Sequence, residues 1–308
     1  MRVRSLLVAL LLVASAGCVV EPSFTYSRST FEGFDVVAYV PAEPVGLVYV
    51  FHGTGGSARF AEKLETVDLL NTLTGRGYAF VATDSTDRVD RQWATGSRSL
   101  TDNADLARLA RLHAHLVATT SVGETTPIMA AGMSNGAAFA SVFAQSFADA
   151  GYPVRASAMF MGRIAPVVRN GGGLTVPTYF VAGENDPVVA ASAISFDHAT
   201  TRGAGIPTSL YVAAEKPLTA ARFLRIPGVD GSEAQATFDA FVSTGSFAAD
   251  GTRLVPIEDV ASAPITFPAS LTGAQRADVR DQVEVVLAVH EMRADAKVGI
   301  GNFFDAHR

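Results

Sequence analysis

The segment Gly132-Met133-Ser134-Asn135-Gly136 sets a serine between two glycines, after the apolar run Pro127 to Ala131 and before the small-residue stretch Ala137 to Phe143. That order is strand, tight turn, helix. The glycines allow close backbone approach and the strained dihedrals that lift a serine Oγ clear of a sheet. The chemistry such a serine performs is nucleophilic attack. A hydroxyl is a weak nucleophile at neutral pH, so Ser134 needs a base to take its proton, usually a histidine steered by a carboxylate. The same five residues also suit a plain turn whose serine caps a helix.

The elements that must position such a group are legible as alternating periods. Phe34 to Val40, Gly46 to Phe51, Gly77 to Thr83, Pro127 to Ala131, Arg155 to Met161 and Val176 to Ala182 are short, apolar and strand-like. Ala61 to Leu73 and Asp102 to Val117 carry apolar residues at helical spacing, as in Leu106, Leu109, Ala110, Leu112 and Leu116. Almost wholly apolar strands separated by amphipathic helices indicate a parallel sheet buried on both faces, so the fold class is α/β. The stretch 190–282 is less regular, with a helical run at Ser232 to Val242 and breaks at Pro256, Pro264 and Pro268. It reads either as a cover over the site or as a peripheral excursion. Val283 to Val289 is dense in β-branched residues and reads as a last strand leading to His290, with Asp295 to His307 as a closing helix. A competing reading runs one helix from Gln275 through Met292.

These features together resemble the α/β-hydrolase superfamily, over most of residues 31–308. The motif Phe51-His52-Gly53-Thr54-Gly55-Gly56-Ser57, after the strand Gly46 to Val50, stands where that superfamily places half of an oxyanion hole. The resemblance implies backbone N–H donors from Thr54 and from Asn135, the residue after the nucleophile. Taken alone, the glycine-rich run also reads as a turn ending in a Ser57 helix cap. The superfamily order of nucleophile, acid and base implies Asp186, in Gly183-Glu184-Asn185-Asp186-Pro187, as the acid, with Glu184 its rival. Three histidines follow. His198 falls inside the helix expected next and His307 is penultimate, which leaves His290 as base and His198 as the competitor. His52 precedes the nucleophile, where the superfamily uses it to shape the oxyanion loop. His113 and His115 fall within a helix. The His52 motif is similar to secreted esterases of the polyhydroxybutyrate-depolymerase and feruloyl-esterase type.

Composition narrows the partners. A formal charge of −6 over 308 residues, with no face concentrating lysine and arginine, argues against nucleic acid. No H-E-x-x-H, cysteine pair, calcium loop, dinucleotide or P-loop fingerprint is present, so no metal and no cofactor is expected. Arg2 and Arg4 precede the apolar run Leu6 to Val13, too short to span a bilayer, which reads as an export signal over residues 1–17. It ends Ala14-Ser15-Ala16-Gly17-Cys18 and resembles the lipobox of bacterial lipoproteins. Attachment to a membrane through lipidated Cys18 is one reading and plain secretion the other. Residues 18–30 read as a tether and residues 31–308 as one catalytic domain. Loss of Arg2 and Arg4 takes Lys+Arg from 24 to 22 against 30 Asp+Glu, a mature charge of −8.

The expected activity is hydrolysis of a carboxylic ester, small or polymeric, through a Ser134, His290, Asp186 triad and an acyl-enzyme. A serine peptidase of the same fold and a non-catalytic surface lipoprotein are the alternatives. Selectivity would come from loops such as Asp84 to Ser99 and Met161 to Gly173. The sole tryptophan, Trp93, either stacks on a substrate ring or packs beneath its loop.

Overall fold

The computed structural model describes residues 19–308, and the signal, Arg2, Arg4 and Cys18 lie outside them. The elements are β1 (Ser27–Phe31), β2 (Phe34–Tyr39), β3 (Gly46–Phe51), α1 (Leu64–Thr74), β4 (Tyr78–Thr83), α2 (Ala104–Thr119), β5 (Ile128–Met133), α3 (Asn135–Asp149), β6 (Val154–Phe160), α4 (Pro166–Arg169), β7 (Thr178–Gly183), α5 (Ala191–Gly203) and β8 (Thr208–Ala213). Then come α6 (Ala220–Phe223), α7 (Gly231–Ser243), α8 (Ile257–Ser262), α9 (Gly273–Val286) and α10 (Lys297–His307).

The eight strands lie in the order β1-β2-β4-β3-β5-β6-β7-β8. β1/β2 and β2/β4 are antiparallel, and every later pair is parallel. This mostly parallel sheet with covering helices is the α/β-hydrolase fold. β3, β4, β5 and β7 are buried along their whole length, as expected of strands covered on both faces. One face packs Tyr49, Phe51, Leu109, Phe139 and Phe143; the other packs Val48, Val50, Leu70, Phe80, Ile300 and Phe304. Each such side chain, fully buried, stabilises by roughly 1.5–3 kcal/mol.

Parallel strands that run the same way collect their carboxyl ends along one edge, where open α/β sheets bind ligands. The loops after β3, β4, β5 and β7 carry His52, Trp93, Ser134 and Asp186 respectively.

Three expectations are corrected. The tether is shorter than 18–30: Asn71 holds the N–H and hydroxyl of Ser23 and the carbonyl of Glu21, and Phe24 packs on Tyr26, Tyr39 and Phe80. Residues 27–31 then pair with β2. Aromatic residues near the start therefore dock instead of trailing. The irregular stretch is narrower than 190–282, because α5 is a regular helix, β8 adds a strand to the sheet, and the chain divides into 20–217 with 277–308, and 218–276. The second unit holds an aromatic cluster of Phe223, Phe241, Phe247 and Phe267, and α7 opens on a capping box of Asp230 and Glu233. Finally, Val283 to Val289 is not a strand. Val279, Val283 and Val286 recur at helical spacing and are buried along α9, so tertiary packing overrides the β-branched composition.

Candidate active site

Ser134 stands between β5 and α3 with φ 58° and ψ −119°, a conformation a non-glycine residue holds only where its surroundings enforce it. What enforces it is glycine on three sides. A Cβ on Gly132 would lie 2.1 Å from the Gly136 carbonyl oxygen, and one on Gly136 would lie 2.4 Å from the carbonyl oxygens of Phe51 and His52. A Cβ on Gly162, after β6, would lie 2.7 Å from the Ser134 carbonyl oxygen. Strand, helix and neighbouring loops thus meet closer than side chains permit, and the serine is squeezed outward.

Its hydroxyl does not cap the helix. Instead Ser134 Oγ lies 2.8 Å from His290 Nε2, and His290 Nδ1 lies 2.8 Å from Asp186 Oδ2. The carboxylate requires Nδ1–H to donate, so Nε2 is left to accept the serine proton. Asp186 Oδ1 accepts from the N–H groups of Val188 and Val189 at 2.8 and 2.9 Å. Burial alone would raise the acid, but the His290 hydrogen bond and those two backbone donors outweigh it and hold it below the usual carboxylate range. An acid kept ionised can orient the imidazole and stabilise the imidazolium.

The rivals are engaged elsewhere. Glu184 Oε1 accepts from the Glu215 N–H at 3.1 Å. His198 sits on α5 edge-on to Phe180, ring centroids 6.1 Å apart. His307 Nδ1 bonds the Phe303 carbonyl within α10. His113 bonds Tyr49 inside the core, and His115 faces Phe31. His52 is 1% exposed. Its Nδ1 donates to the Gly53 carbonyl at 2.7 Å and its Nε2 accepts from the Ser85 N–H at 3.3 Å. Burial pushes its pKa down, so it is a neutral structural imidazole.

On the oxyanion side, Gly53 abuts the nucleophile: a Cβ there would lie 3.4 Å from Ser134 Cβ. Gly56 N–H closes a turn on the Gly53 carbonyl at 3.0 Å. Thr54 and Gly55 are the central residues, and Gly55 has φ +77°. Asn135 is the first residue of α3, so its N–H is one of the donors that no helical carbonyl takes.

Sequence reasoning overlooked Asn185. Its amide donates to the Leu287 carbonyl at 2.9 Å and to Glu215 Oε2 at 3.0 Å, while its N–H donates to the Ala288 carbonyl at 3.2 Å. Gly183 completes the contact, since a Cβ there would lie 2.2 Å from that same carbonyl oxygen. Acid loop and base loop are thereby joined directly. The signal was present in Gly183-x-Asn185-Asp186, a glycine and an amide beside the acid.

Past the base lies a group that titrates out of place. Asp281, Glu284 and Glu291 bring carboxylate oxygens within 4.8 Å of one another, and Lys63 Nζ bonds Asp281 at 3.0 Å. The Lys63 ammonium supplies the counter-charge that a cation would bring. Burial, aided by Asp281 and Glu284, pushes Glu291 up to about 7, against the pull of Lys63 and of the Met292 N–H. The native state therefore holds a proton on Glu291 that the unfolded chain has released, and stability falls as pH rises from the ordinary glutamate range to about 7. Glu291→Gln should leave stability at pH 4 unchanged and raise it at pH 8 by about 1–3 kcal/mol. Urea denaturation at the two pH values checks this.

No curated protein matches the chain. Among solved structures it is similar to an esterase from Pyrobaculum calidifontis (15% identity, 62% of this chain and 75% of that one, TM-score 0.47). A Bacillus cereus carboxylesterase (13%, 59% and 86%, 0.45) and an acetyl xylan esterase from Aspergillus awamori (13%, 55% and 76%, 0.43) are further matches. The model of the dienelactone hydrolase family matches residues 34–215, more than half of the chain, a span that holds both Ser134 and Asp186. The chain belongs to the dienelactone hydrolase family, carboxylic ester hydrolases of the α/β-hydrolase superfamily.

Proposed function

We propose that the protein is an exported serine hydrolase that cleaves carboxylic esters through an acyl-enzyme on Ser134. The observation that carries this is the continuous relay from Ser134 Oγ through His290 to Asp186, two contacts of 2.8 Å. Ser134 Oγ attacks the ester carbonyl while His290 Nε2 takes its proton, and the oxyanion is held by the N–H groups of Thr54 and Asn135. Collapse of that intermediate expels the alcohol, which takes the proton from His290. Water then attacks the acyl-enzyme with His290 again as base, and the acid leaves with Ser134 restored.

Export rests on the segment before residue 19, where Cys18 would carry the lipid. No helix among the described residues is long and apolar enough to cross a membrane. Stoichiometric labelling by a fluorophosphonate, blocked in Ser134→Ala, is the expected result; an unlabelled wild-type protein would remove the hydrolase reading. Fractionation of Cys18→Ser tests the anchor, with release from membranes expected and unchanged fractionation overturning it.

A further inference from the structure

A glycine-rich loop is a poor support for a catalytic donor. Gly53, Gly55 and Gly56 flank Thr54, and Thr54 and Gly55 are exposed, so beyond the one turn hydrogen bond from Gly56 to Gly53 little in the loop itself fixes where the Thr54 N–H points. Asn135, by contrast, is anchored in α3. An oxyanion hole works only if both donors lie within about 3 Å of one developing charge, so something must hold the loop against the helix.

Trp93 touches both. Its backbone N–H donates to Asn135 Oδ1 at 2.7 Å, and its carbonyl accepts from Asn135 Nδ2 at 3.3 Å. Its indole Nε1–H donates to the His52 carbonyl at 3.0 Å. That carbonyl is the surface on which the elbow rests, since a Cβ on Gly136 would collide with it at 2.4 Å. The same segment reaches the loop a second time, where Gly55 N–H donates to the carbonyls of Asp90 and Arg91 at 3.1 and 3.2 Å. Trp93 is 2% exposed, and its indole stacks on Phe139 of α3 at 4.7 Å and 17°. It meets Phe51 edge-on at 5.0 Å. The other side of the segment is fastened to α2, where Ala94 N–H donates to Asp105 at 2.8 Å and Asn103 donates to the Ala94 carbonyl at 2.7 Å.

We propose that Trp93 is a positioning residue for the oxyanion hole, setting the spacing between the Thr54 and Asn135 N–H groups through its indole N–H and its backbone. The proposal rests on the serine-hydrolase reading above. It removes Trp93 from the substrate-contacting residues, and it makes the loop after β4 a spacer between the loops after β3 and β5. A tryptophan that served only as core filling would need its ring but not its N–H.

That difference can be measured. Trp93→Phe keeps an aromatic ring between Phe51 and Phe139 and deletes the donor to His52. Because Trp93 is the only tryptophan, growth of a tryptophan auxotroph on 3-benzothienylalanine replaces this one side chain by an isostere lacking N–H, a second variant that keeps the test alive should phenylalanine fail to fold. The expected result for each is a kcat on p-nitrophenyl acetate lowered about 10- to 100-fold with KM within about twofold of wild type. Affinity for an alkyl trifluoromethyl ketone, which forms a tetrahedral adduct on Ser134 and places an oxyanion in the hole, should fall by the same factor as kcat/KM. Wild-type kcat and ketone affinity in the isostere would overturn the proposal and leave Trp93 as core. A wild-type protein that neither turns over ester nor binds the ketone would instead overturn the hydrolase reading.

Discussion

Ser134→Ala should lower kcat on short-chain p-nitrophenyl esters by about 10⁴- to 10⁶-fold, leaving only what the oxyanion donors and binding supply over water. The loss is that large because the relay is aimed at one atom: His290 Nε2 lies 2.8 Å from Ser134 Oγ and has no substitute hydroxyl to activate once that oxygen is gone. Stability should hardly change. The alanine inherits the φ of 58° and its cost, and the deleted oxygen is half-buried and makes no contact with the helix end. Circular dichroism and thermal melting of the variant therefore overlay wild type, and turnover above a thousandth of wild type would show that the nucleophile is elsewhere. Ser134→Gly, equally inactive, should melt higher than Ser134→Ala, because glycine relieves a strain of about 1–3 kcal/mol that outweighs its own entropic cost.

The two histidines give the second large contrast. His290→Ala should cost kcat at least about 10³-fold, since the proton from Ser134 then has nowhere to go. His198→Ala should stay within about threefold of wild type. His198 is partly exposed on α5 and its ring meets Phe180, so its removal trims packing and leaves the relay intact. Steady-state kinetics of the pair at pH 8 decides the matter, and a larger loss in His198→Ala would reverse the assignment. Asp186→Asn belongs beside them: an amide in place of the carboxylate turns a donor toward His290 and favours the wrong tautomer.

What sequence made visible follows from how local each cause is. The elbow at Ser134 is written in five consecutive residues because its backbone demands glycine at fixed offsets. Asp186 is marked by its place after an apolar strand. The segment around His290 misled, since five of the seven residues from Val283 to Val289 are valine or leucine and strand propensity is strong there. What decides is that Val279, Val283 and Val286 are buried along one helix, a fact about partners far away in the chain. Phe24 and Tyr26 look like tether in the sequence for the same reason: Phe24 packs on Phe80, which lies on β4. Asn185 shows in the sequence only as an amide beside the acid, and Trp93 shows there only the choice between stacking on a substrate and packing beneath its loop, because the work of both is done through hydrogen bonds to atoms of other loops, which leave no spacing in the sequence.

His290 is 156 residues from Ser134 and 104 from Asp186 along the chain. It is held there by the Asn185 and Gly183 contacts to Leu287 and Ala288. Loop closure of that length is among the slower events of folding. The residues of the elbow and of the oxyanion loop all precede residue 137, whereas the proposed proton acceptor stands at residue 290. The proposed relay is therefore completed only when the segment around His290 has docked against the loops that carry Ser134 and Asp186.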